Sequence, residues 1–167
     1  MRYKAARPAL LGLLFALSVV LNLVEAGFSG LVPIPGIKLG LSNVVTMYCL
    51  FCMGKREAFL LAGLKAFFVL LTRGLVGACL SLSGGVLSVA MMLLLKKLGR
   101  NRLSHTFLSI SGGVSHNVGQ ISVAALILES SAVFYYLPVL MISGVGMGLL
   151  TGILLRQLLP HLNRIFF

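Results

Sequence analysis

From Ala58 to Leu95 the chain runs for 38 residues with Lys65 and Arg73 as its only charges and no stretch polar enough for an aqueous loop. As a single helix this segment would be about 57 Å long, against a hydrocarbon core of ~30 Å. It must therefore fold back inside a membrane, and Thr72-Arg73-Gly74 is the expected break. Composition agrees: hydrophobic residues make up 59%, charged residues 10%, and mean hydropathy is +1.06. An ordinary globular chain is about a quarter charged. The fold expected is an all-α integral membrane bundle, one domain over residues 1–167.

Hydropathy places spans near 9–27, 39–53, 57–72, 75–95, 106–128 and 134–155, six as the best count and five as the alternative. The opening MRYKAARPALLGLLFALSVV has the basic start and apolar middle of a signal peptide. The apolar run continues past Val24 and further spans follow, so it reads as a retained first span. When the loops are alternated, Arg2, Lys4, Arg7, Lys55, Arg56, Lys96, Lys97, Arg100, Arg102, Arg156 and Arg164 fall on one side, and only Lys38 and Arg73 on the other. That bias puts both termini in the cytoplasm. It also accounts for the basic excess without nucleic acid, because the cations punctuate apolar runs and build no recognition module. The partner they imply is the lipid bilayer.

Cys49 and Cys52 form a CxxC, but no second cysteine pair or nearby histidine completes a metal set. They read as small apolar residues of a helix, and no metal site or catalytic residue is expected.

Polar residues inside the spans carry the functional signal. In SISGGVSHNVGQ, residues 109–120, Ser109, Gly112, His116 and Gln120 share one helical face, with Asn117 on its shoulder. Such a stripe must face protein or a cavity, either to meet a ligand or to bond neighbouring helices. Ser18, Asn22 and Glu25 line one face of the first span. The loop that follows, 28–38, contains Pro33, Pro35 and Gly36, which rule out a continuous helix. It is expected to be an external lid over the bundle mouth, with Glu25, Pro33, Pro35 and Gly36 in lid or gating roles. Lys65 sits within a span, where a charge costs about 2.5–3.5 kcal/mol. It is expected to pair with Glu25, to bind an anionic ligand group, or to snorkel. Lys38, Asn43, Lys65, His116, Asn117 and Gln120 are the candidate ligand-binding residues, suited to an anionic, partly apolar small molecule.

Glycines mark the packing faces. SLSGGVLS at 81–88 and SISGGVSH at 109–116 share a pattern that suggests two helices packed closely there. Gly84, Gly85, Gly112, Gly113, Gly144, Gly148 and Gly152 are the expected packing positions, the last three as a repeated GxxxG. Small-residue faces on the last three spans could also slide against a partner.

The runs PIPGIKLGLSNVVT, SGGVLS, GGVSHNVGQISVAALIL and YYLPVLMISGVGMGLLTGILL resemble the Gx transporter family, also described as heptaprenyl diphosphate synthase component I. Its members are similar to the substrate-binding S components of energy-coupling factor transporters, six-helix membrane proteins whose first external loop caps the ligand. The resemblance implies a solute-binding subunit energised by a partner coupling subunit with ATPases. It equally admits a membrane scaffold or accessory subunit for polyprenyl diphosphate synthesis or for flavin-based extracellular electron transfer. In that second setting the protein could bind a flavin or quinone, or seat a redox or prenyl-lipid partner that does. No covalently bound cofactor is expected. The chain has no Asp, and its acids, Glu25, Glu57 and Glu129, are far apart, so the aspartate-rich motifs of prenyl transfer are missing. It also has no GxxxxGK[ST] phosphate loop of its own. It is therefore not expected to be an enzyme.

Overall fold

In hydrocarbon every backbone N–H and C=O must be satisfied within the chain, so apolar runs of this length become helices. The computed structural model describes residues 2–28, 41–99 and 102–166, which are helical apart from short connectors. Among them are α1 (Arg2–Phe28), α2 (Leu41–Cys52), α3 (Lys55–Leu98), α4 (His105–Ile127) and α5 (Leu137–Phe166). A 3₁₀ helix over Ser131–Tyr136 leads into α5. Ser104 caps α4 by accepting a bond from Phe107 N at 3.1 Å, satisfying one of the free donors of the first turn. Residues 29–38 of the expected lid, including Pro33, Pro35, Gly36 and Lys38, lie outside the described residues.

The apolar run of the third and fourth expected spans breaks at Gly74, whose φ of 78° and ψ of −175° belong to a region essentially reserved for glycine. The arms before and after it, 55–73 and 75–98, lie side by side. A Cβ placed on Gly85 would come within 3.3 Å of the Ala62 Cβ. Along one straight helix those residues would be about 35 Å apart. Ala58 and Leu61 of the first arm share a core with Val89 and Met92 of the second. The break thus turns one 44-residue helical segment into a hairpin.

Among the described residues, three helical stretches are long and apolar enough to cross a membrane: Arg7–Glu25, Lys55–Leu98 and Ser131–Pro160. α2, at 12 residues, is apolar but about 18 Å long. α4 has the length, at 23 residues, but His116, Asn117 and Gln120 lower its hydropathy. The outer surface is apolar, with Leu17, Val20, Leu60, Phe67, Leu71, Leu75, Ile142 and Leu149 exposed.

The ends of the bundle differ. Arg7 lies 3.7 Å from Glu57, joining the start of α1 to the start of α3. Lys96, near the end of α3, sits 5.0 Å over the Phe51 ring at the end of α2. His105, at the start of α4, meets the same ring edge-on at 4.8 Å. Gly152 packs against Thr106, so the later turns of α5 reach this end as well. Arg7, Lys55, Arg56, Lys96, Lys97, Arg102 and Arg156 therefore gather at one end, and Arg73 marks the other. The apolar core, including Leu14, Tyr48, Cys49, Leu61, Val89, Leu108 and Leu155, closes the basic end. Cys49 is fully buried in it, its Sγ 3.9 Å from Met53 Sδ.

Candidate functional site

Lys65, on the first arm of α3, is 9% exposed. Its ammonium donates to Ser42 O at 3.2 Å, Asn43 Oδ1 at 3.0 Å and Thr46 Oγ1 at 3.2 Å. All three acceptors belong to α2. The short second helix thus serves as a polar bracket for a cation inside the bundle. Ammonium has three donors, and each has a neutral oxygen.

On α4, Asn117 Nδ2 donates to Leu140 O at 2.6 Å, with Ser143 Oγ at 3.5 Å, pinning α4 to the first turn of α5. About two turns away, the Ser109 and Thr151 hydroxyls meet at 2.6 Å, and Thr151 Oγ1 also donates to Met147 O at 2.9 Å. Asn117 thereby has a bonding task between helices, the bland alternative for a polar residue of this stripe.

The glycines set how closely these elements approach. A Cβ on Gly84 would fall 2.9 Å from His116 Cε1 and from Gln120 Cγ, and one on Gly119 would fall 2.9 Å from Ser83 O. The two SGGV segments therefore lie on facing helices, the second arm of α3 and α4. A Cβ on Gly112 would fall 3.1 Å from Ser88 Oγ and 3.0 Å from Met92 Sδ. On the other flank a Cβ on Gly113 would fall 2.7 Å from Gly144 O. Cβ atoms on Gly148 and Gly152 would fall 2.5 Å from Ile110 Cα and 2.8 Å from Thr106 Cα. These small-residue faces are spent inside the bundle. Backbone of the neighbouring helix already fills the space at these positions.

Two adjoining cavities result. One, of about 60 Å³, is lined by Asn22, Glu25, Ser42, Asn43, Lys65, Val69, Ser81, Gly113, His116, Asn117, Gln120, Gly144 and Met147. The other, of about 40 Å³, shares Asn43, Lys65, Ser81, Gly113, His116 and Met147 with it. It continues past Thr46, Ala62, Ser88, Met92, Ser109, Gly112 and Thr151 toward the apolar core. Glu25, Asn43, Lys65, His116, Asn117 and Gln120 are thus brought to one space, while Lys38 lies outside the described residues. Glu25 is 4% exposed.

Sequence reading missed several hydroxyl-bearing wall residues. Ser81 and Ser88 sit seven residues apart on one face of the second arm of α3, a spacing that could have flagged them. Thr46 follows Asn43 by three residues on the same face of α2, a spacing that could also have flagged it, whereas Thr151 stands alone in an apolar run.

Helices with an apolar exterior and polar side chains turned inward on a cavity define an integral membrane protein. The chain belongs to the family described as heptaprenyl diphosphate synthase component I, the Gx transporter family, which matches residues 14–158. No curated protein and no solved structure matches the chain. The family description names a component, one part of a larger assembly.

Proposed function

We propose that the protein is a membrane solute-binding subunit of the S-component type, which captures a small ligand and depends on partner proteins for energy. The observation that carries this reading is the convergence of Glu25, Asn43, Lys65, His116, Asn117 and Gln120 on one cavity. In this reading the chain crosses the membrane six times, counting α2 and each arm of α3. Both termini are cytoplasmic, which the collection of basic side chains at one bundle end supports. The cavity then lies toward the outer face. The family description is compatible with a non-catalytic subunit, and we assign the chain no catalysis of its own.

This reading favours a solute smaller than a flavin or quinone. Neither cavity exceeds about 60 Å³, whereas drug-sized ligands occupy pockets of roughly 300–1,000 Å³. No Phe or Tyr among the described residues lines either cavity for ring stacking.

Native mass spectrometry of the full chain, mildly extracted from its own host membrane, tests the reading. The expected result is co-purification with an ATPase pair and a coupling membrane subunit, together with a bound small solute. Recovery instead with a prenyltransferase or a redox protein, and no solute, would replace it with the scaffold reading.

A further inference from the structure

We infer that the cavity selects a small zwitterion, a molecule with one cationic and one anionic group on a short, non-aromatic frame; this rests on the solute-binding reading above. The first ground is charge. Glu25 and Lys65, 4% and 9% exposed, line the same cavity, and no other Asp, Glu, Lys or Arg among the described residues lines it or its neighbour. With His116, which lines both cavities, counted as neutral, one negative and one positive charge sum to zero. A dianion or dication would bring uncompensated charge into a low-dielectric site, at a large desolvation cost.

The second ground is hydrogen-bond polarity. Asn43 Oδ1 is taken by Lys65, which leaves Asn43 an amide donor to offer beside the cation. Asn117 Nδ2 is taken by Leu140 O, which leaves Asn117 a carbonyl acceptor. The network thus fixes which way each amide faces. A ligand carboxylate seated at Lys65 and Asn43 exchanges a neutral acceptor for an ionic one, and charge-assisted bonds are roughly twice as strong. The ligand's cationic group finds Glu25 and the Asn117 carbonyl on the same cavity wall. Asn22 and Gln120 add two more carboxamides to that wall.

The third ground is size. At ~14 Å³ per water-sized position, cavities of about 40 and 60 Å³ hold roughly three and four such positions. That matches a compound of amino-acid size. Without a Phe or Tyr in the described walls, nothing favours a flat ring.

Thermal unfolding of the full chain in lipid nanodiscs, followed by far-UV circular dichroism, provides the test. The probes are alanine and γ-aminobutyrate as zwitterions, succinate as a dianion, putrescine as a dication, and riboflavin. A zwitterion at ~100 times its Kd should raise the midpoint by about 5–10 °C. Gln120→Ala, which keeps both charges, should weaken that shift; Glu25→Gln and Lys65→Met should abolish it. A larger shift with succinate, putrescine or riboflavin overturns the zwitterion class and leaves solute binding standing. No shift with any probe overturns the class and removes support from solute binding as well.

Discussion

Lys65 shows how a charge is kept inside an apolar bundle. Its ammonium is held by a carbonyl, an amide oxygen and a hydroxyl from α2, so the cost of leaving water is offset by three hydrogen bonds. The sequence marked Lys65 because a mid-span cation is expensive, and offered Glu25, a ligand or snorkelling as ways to satisfy it. The three acceptors on α2 were not legible, because a backbone carbonyl of Ser42 has no sequence signature. The Ser109–Thr151 pair makes the same point across 42 residues: the polar stripe of α4 announces Ser109, while Thr151 sits in an apolar run beside Gly152. Their coupling is measurable. A double-mutant cycle with Ser109→Ala and Thr151→Val should give about 0.6 kcal/mol, with ~1.7 kcal/mol as the ceiling for such pairs in membranes. Additive losses would show that Thr151 is satisfied by the carbonyls of its own helix alone.

At the scale of the element, α4 is the spine, clasped by the second arm of α3 and by α5. Glycine made this clasp legible, since SGGV and GxxxG announce close helix approach without naming the partners. The structure pairs Gly84 with the His116–Gln120 turn and Gly148 with Ile110. A Cβ at Gly148 would meet Ile110 Cα at 2.5 Å and Ser109 O at 2.9 Å, backbone atoms that cannot swing aside. Gly148→Ala should therefore destabilise the bundle by about 1–3 kcal/mol. Gly63 is the control: nothing lies within 4 Å of its added Cβ, and it is equally helical. Gly63→Ala should be neutral or stabilising by up to ~1 kcal/mol. Unfolding titrations in mixed micelles compare the two, and equal stability would dissolve the close-contact account of the α4–α5 interface.

For the whole molecule, charge asymmetry and the cavity are one arrangement. The basic end is sealed by the apolar core, and the polar cavities open between that core and the Gly74 end. In the proposed topology the basic end is held in the cytoplasm and the cavities face out. Single cysteines at Arg73→Cys and Lys97→Cys, in a chain whose Cys49, Cys52 and Cys79 are replaced, test this. A membrane-impermeant maleimide should label the first in intact cells and the second only after permeabilisation. The opposite pattern would invert the topology and put the cavity toward the cytoplasm.

The sequence by itself determined the class of fold, the break in the long apolar run, and the polar and small residues that turn inward. These follow from local rules: hydrocarbon demands helices, a 57 Å stretch cannot span ~30 Å, and a buried polar group needs company. Only the tertiary structure decided which helices are neighbours, that α2 brackets Lys65, and that α4 lies between α3 and α5. Those outcomes depend on contacts between residues tens of positions apart, where complementary shape chooses the partner and no local pattern records the choice.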